Sequence, residues 1–193
     1  MKKSMGAKTL MAAVPLLIIG SYDQKGKPNL MACAWGGICC SAPPCINISL
    51  RKATYSYSNI ILNKAFTVNI LFGDRVKEAD FYGIVSGCEY DKFEETGITP
   101  IKSDIVNAPF GLEFPMVIEC KVIHTIEIGL HTEFIGEIMD IKVEEYLLDK
   151  QGNIDTGKLN PIFYTPGSRE YYSMGNYLGK GFKIGKSIIP VKE

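Results

Sequence analysis

The chain has 193 residues, 21 Lys+Arg set against 21 Asp+Glu, and 46% hydrophobic residues. This length reads as one domain, residues 1–193, able to bury roughly 70% of its unfolded surface, and the even charge offers neither a basic footprint for nucleic acid nor an acidic tail. The sequence holds no apolar stretch long enough for a membrane helix, no internal repeat and no low-complexity segment.

At the N-terminus, lysines precede an apolar run over 10–20 in the manner of a secretory leader. Pro15 inside the run, the lack of an A-x-A cleavage site and the turn-like DQKGKPN that follows point instead to a buried strand and a cytoplasmic protein. Strands over 14–21 and 30–35 then flank a turn at 23–29 as a hairpin. Further strands are predicted over 45–50, 66–72, 116–127 and 133–143, rich in Val, Ile and Phe with partial alternation. Helical patterns cover 54–64 and 75–85, the second opened by Asp74 as N-cap. Strands dominate, and an antiparallel barrel with short helices in its connections fits better than alternating βα units. The segment from 160 onward is rich in Gly and Tyr. Its Tyr164, Tyr171, Tyr172 and Tyr177 suggest that it lies across the barrel or a partner subunit.

Four of the six cysteines and the only tryptophan crowd into NLMACAWGGICCSAPPCINIS, 29–49. Positions 33, 39, 40 and 45 contain no C-x-x-C, and adjacent Cys39 and Cys40 point opposite ways in an extended chain, so no metal site is predicted. Ordinary packing of a small hydrophobe explains most of them. A redox pair at Cys39-Cys40 needs a thiol of lowered pKa, and no cation lies nearby in sequence to lower one.

After the strand over 45–50 come Arg51 and Lys52, with Thr54, Ser56 and Ser58 around a helix start. Free N–H groups there, with Arg and hydroxyl donors, suit a phosphate, while capping by Thr54 with two solvated cations is the plainer reading. His131 opens a strand after Gly129, where a lone His is more often structural than catalytic, and His124 reads as structural too.

These blocks together resemble the flavin reductase-like, FMN-binding split-barrel family, flavoredoxin type, over 15–186. The resemblance lies in PNLMACAW (28–35), SAPP (41–44), ISLRKATYSYSNI (48–60), FTVNIL (66–71), DFYGIVSGCEYDKFEETGITP (80–100), GLHTEFIGE (129–137) and YLGKGFKIGK (177–186), in that order. It implies a mainly β, antiparallel Greek-key split barrel with short connecting helices, forming a homodimer that holds FMN at the edge of the subunit interface. It further implies flavin contacts from Met31, Ala32, Cys33, Ala34, Trp35, Cys40, Ser41, Ser49 and Tyr164. Small side chains there let main chain approach a flat ring, and Arg51 and Ser56 hold the phosphate.

Ala32 stands where relatives often carry Thr, and Thr54 where flavoredoxins often carry Arg; Lys52 is expected to make up that charge. His131 matches a histidine on the nicotinamide side, with Leu130 in place of the usual Asp. The implied activity is an FMN-dependent oxidoreductase taking electrons at the flavin N5 from NADH, NADPH or a reduced redox protein and passing them to an acceptor. The alternative is a non-catalytic FMN carrier or sensor. A thiol-based redox protein centred on Cys39 and Cys40 is a third class, and it predicts a colourless sample.

Overall fold

The computed structural model describes residues 1–188. In chain order the strands are β1 (Val14–Pro15), β2 (Leu17–Tyr22), β3 (Pro28–Cys33), β4 (Gly36–Ser41) and β5 (Pro44–Arg51), followed by helix α1 (Tyr55–Asn63) and β6 (Ala65–Ile70). Helices α2 (Val76–Ile84) and α3 (Lys92–Thr96), strands β7 (Pro100–Lys102), β8 (Pro109–Gly111), β9 (Met116–Ile128) and β10 (His131–Val143), helix α4 (Thr156–Leu159), and strands β11 (Phe163–Thr165) and β12 (Glu170–Tyr172) complete the fold. The chain is thus mainly β and antiparallel, with short connecting helices.

Seven strands hydrogen-bond in the order β3-β2-β6-β9-β10-β5-β4. Only Ala34 and Trp35 separate the end of β3 from the start of β4, so one bent segment pairs with β2 by its first half and with β5 by its second. That corner closes six strand positions into a barrel, β3 and β5 being joined through the shared segment without pairing to each other. The interior is apolar. Leu17 and Ile19 from β2, Cys33 from β3, Ile46, Ile48 and Leu50 from β5, Phe66 and Val68 from β6, Cys120 from β9 and Phe134 from β10 form one buried cluster. Gly136 lies on this inner face, where an added Cβ would come within 2.6 Å of the Phe66 ring, so the glycine makes room for the largest group at the centre. A second cluster, including Leu30, Tyr82, Phe93 and Phe114, packs α2 and α3 against the outside of β2 and β3.

The expected elements appear with shifted ends. The predicted first strand is broken at Leu16, whose N–H bonds to the carbonyl of Ile162 at 3.1 Å instead of to a barrel partner. Strand β4 carries no sequence signal of its own, since GGICCS holds glycines and no alternation. Asp74 does not cap the second helix: it falls inside a 3-10 turn, Gly73–Arg75, and Arg75 occupies the N-cap of α2 with no side-chain cap. Thr54 does occupy the N-cap of α1, but its hydroxyl donates backward to the Arg51 carbonyl at 2.9 Å and caps no N–H. In the C-terminal segment the Tyr164 and Tyr171 rings pack 5.5 Å apart, and the Tyr171 hydroxyl donates to Asp80 on α2 at 2.8 Å. Tyr172 and Tyr177 are exposed, and 189–193 fall outside the described residues. Among the described residues no helix is long and apolar enough to cross a membrane.

Candidate functional site

The corner at Ala34 and Trp35 opens the barrel wall, and three adjoining cavities run past it as one groove. The central cavity, about 230 Å³, is lined by the backbone and side chains of Met31 through Trp35, by Ser49, Leu50 and Arg51 of β5, by Thr54 and Gly83, and by His131 of β10. Arg51 and His131 are direct partners across β5 and β10, so their side chains rise from the same face. The corner is held from beneath. Ser49 N–H donates to the Trp35 carbonyl at 2.8 Å, and the Cys33 thiol donates to the same oxygen at 3.5 Å. Burial pushes the Cys33 thiol up to about 11, so it is a packing group rather than a nucleophile.

One end of the groove is built for an anion. A cavity of about 260 Å³ sits over the start of α1, with Asn29, Thr54, Ser56, Ser86, Gly87 and Lys92 among its lining residues and no carboxylate. Because Thr54 caps nothing, the first turn of α1 presents N–H groups that no side chain satisfies, and the helix dipole adds positive potential. The Ser56 hydroxyl accepts from the Asn29 amide at 2.9 Å, both residues being fully covered, which leaves the Ser56 O–H able to donate.

Lys92 is only 3% exposed. Its ammonium donates to the Tyr82 carbonyl at 2.8 Å, and burial draws its pKa down to about 8. Gly87 lets the loop close over this end, since a Cβ there would lie 2.1 Å from Asn29 Oδ1. Tyr55 walls it from outside; its hydroxyl donates to Asp23 at 2.7 Å, and burial followed by that carboxylate raises the phenol to about 12.

The other end is apolar. A cavity of about 570 Å³ continues from Ala34, Trp35, Ser49 and His131 to Gly36, Gly37, Asn47 and Ile128, with residues Lys8 to Met11 forming the facing wall. Asn47 is fixed by donating to Glu133 at 2.5 Å. The groove therefore pairs a flat, small-residue, backbone-rich floor with a positive, donor-rich end, as a planar aromatic ligand bearing a phosphate requires.

A match to the flavin reductase like domain spans residues 11–165. The chain belongs to the flavin reductase-like domain family. Its barrel superposes on the flavoredoxin of Desulfovibrio vulgaris (Miyazaki F) with a TM-score of 0.92 at 52% identity, covering 96% of this chain and 100% of that one. A flavoredoxin from Methanosarcina acetivorans is similar at TM-score 0.90 and 30% identity, covering 98% of this chain and 100% of that one. An FMN-binding protein from Thermus thermophilus, at 15% identity and TM-score 0.77 over 93% of this chain and 97% of that one, shares the fold. Membership in the flavin reductase-like family makes this a chain of a flavin-dependent redox family, and the groove's construction fits a flavin phosphate.

Of the residues expected in the site, Met31, Ala32, Cys33, Ala34, Trp35, Ser49, Arg51 and His131 meet in the central cavity, and Ser56 lies at the anion end. Cys40 and Ser41 are exposed at the far end of the β4–β5 hairpin and line none of the three cavities. Tyr164 pairs with Val14, which borders the apolar cavity, and packs tilted against Tyr171, but it lines none of the three cavities itself. Lys52, expected to supply phosphate charge, is paired with Glu127 at 2.6 Å instead. The cation at that end is Lys92, which the sequence reading missed together with Asn29. In YDKFEET a lysine reads as a solvated helix residue, and only the packing of α3 beneath the end of α2 buries it.

Proposed function

We propose that this groove binds FMN non-covalently and that the protein is a flavoredoxin-type electron-transfer oxidoreductase. The observation that carries the reading is the joining, in one groove, of buried Lys92 beside an uncapped helix start with the small-residue corner at Ala32 to Trp35. Bound FMN supplies the redox chemistry, electrons entering and leaving at its N5. Lys92, Ser56, Arg51 and the first N–H groups of α1 hold the phosphate, and Lys92 has donors beyond the one engaged at Tyr82. The main chain of Met31 to Trp35 and of Ser49 lies against the ring edge. His131, beside Arg51, stands toward the nicotinamide of NADH or NADPH.

On the outer face that carries His131, Ile126 and Ile128 are 44% and 56% exposed, and Leu130 at the adjoining β9–β10 turn is 64% exposed. We assign this apolar stripe to a second copy in a homodimer. The six cysteines, all unpaired, fit a reducing cytoplasm.

One observation favours the carrier alternative as the second reading: Leu130, exposed at the β9–β10 tip, leaves His131 without a bonded carboxylate among the described residues. The two separate in an anaerobic titration of FMN-loaded protein with NADH, then NADPH, then dithionite. Bleaching of the flavin absorbance by either nucleotide supports a reductase. Bleaching by dithionite alone supports a carrier, or a protein fed by another redox protein.

A further inference from the structure

Outside the groove, the β4–β5 hairpin gathers three thiols that the flavin site does not use. Cys40 and Cys45 are direct Cα partners across the two strands, just past a bulge between Ile38 and Cys40. Directly opposed residues of an antiparallel pair have Cα atoms about 4.5 to 5.5 Å apart, inside the 4.4 to 6.8 Å range of disulfides. The Cys45 thiol donates to the Pro43 carbonyl at 3.4 Å, in the turn that joins it to Cys40. The two differ in access: Cys40 is exposed, whereas Cys45 is 2% exposed.

We propose that Cys40 and Cys45 form a redox-active dithiol that closes to a cross-strand disulfide by exchange with a small-molecule disulfide. Cys40, the accessible member, attacks one sulfur of RSSR as its thiolate, having given its proton to solvent. This forms Cys40–S–S–R and releases RS⁻, which takes up a proton. Cys45, deprotonated in turn, attacks the Cys40 sulfur and expels the second RS⁻, which is likewise protonated. The protein loses two hydrogens and two electrons, and RSSR gains them as two RSH. Adjacent Cys39 is exposed but is separated from that register by the bulge, so it is a competitor rather than the partner. The bond ties β4 to β5 along the hairpin that also carries Gly36, Gly37 and Asn47 to the apolar end of the groove.

The test is incubation of the full chain with oxidised glutathione, then alkylation of remaining thiols with iodoacetamide and scoring of each cysteine by fragment-ion mass spectrometry. The expected wild-type product lacks two hydrogens, keeps no glutathione, and leaves Cys40 and Cys45 unalkylated within a monomeric chain. Cys39→Ser closes in the same way. Cys45→Ser stalls with glutathione held on Cys40, and the exposed-site variant Cys40→Ser, which does not disturb a buried position, shows no closure. Full alkylation of Cys40 and Cys45 in the treated wild type overturns the proposal. So does glutathione persisting on wild-type Cys40, or a bond from Cys39 or between chains.

Discussion

The Asn29 side-chain amide donates to the Ser56 hydroxyl at 2.9 Å, tying the start of β3 to the first turn of α1 beneath the positive end of the groove. A hydroxyl whose acceptor role is filled from below turns its proton outward, so the bond both orients Ser56 and joins the two elements that define the cavity. Asn29→Ala and Ser56→Ala are each expected to weaken FMN binding by about 1 to 3 kcal/mol, and the double variant by less than their sum, because both remove one arrangement. Calorimetric titration with FMN checks this; additive losses would mean that the two residues act independently.

Arg51 and Lys52 are neighbours in sequence with different surroundings. Arg51 lines the groove and forms no ion pair among the described residues, while exposed Lys52 is paired with Glu127. Arg51→Ala is expected to weaken FMN by ~1.5 to 3 kcal/mol, the worth of a hydrogen bond to a charged group. Lys52→Ala should leave FMN affinity close to the wild-type value, because its exposed charge is already paired with Glu127. Fluorescence titration of the two variants side by side decides between them.

Lys92 gives the site a pH signature. Its folded pKa is drawn down to about 8 by burial, while an unfolded lysine titrates near 10.4. Between these values the unfolded chain holds more protons, so the FMN-free protein should gain stability as the pH rises from about 8 to 10. FMN affinity should run the other way, falling as Lys92 loses its charge above about 8. Chemical denaturation and FMN titration over this range measure both slopes, and Lys92→Met should flatten both.

Gly87 tests the closure of the anion end. Gly87→Ala sets a Cβ against Asn29 Oδ1 and the Tyr55 ring, both backed by packed structure. It should lower stability by about 1 to 3 kcal/mol and weaken FMN binding while leaving the strand core intact. Unchanged melting and affinity would show that the loop opens freely.

For His131, substitution by alanine should lower NAD(P)H oxidation more than FMN affinity, and Leu130→Asp should raise NAD(P)H oxidation by giving the imidazole a carboxylate neighbour. Equal losses in the first variant would make His131 structural.

The barrel was legible in the sequence where strands alternate or run apolar between turn residues, as over β2, β5, β6, β9 and β10. It was illegible at β4, where glycines and cysteines carry no period and pairing is imposed by the hairpin with β5. The groove floor from Met31 to Trp35, with Ser49, Arg51 and His131, followed from ordered local motifs. Lys92 and Asn29 did not, because a buried lysine and an exposed one look alike until tertiary packing covers one of them. Cys40 and Ser41, flavin contacts by the family resemblance, line none of the groove's three cavities in this chain. An extended strand carries them roughly 3.3 Å per residue away from Trp35.

The central claim is that the groove reads both the flavin ring and its phosphate, and the most direct measurement compares FMN with riboflavin in calorimetric titrations of wild type and Lys92→Met. The account predicts that wild type binds FMN more tightly than riboflavin by at least about 1.5 kcal/mol, and that Lys92→Met closes much of that gap while leaving riboflavin binding unchanged. Equal affinity of wild type for the two flavins, or a gap untouched by Lys92→Met, would contradict it.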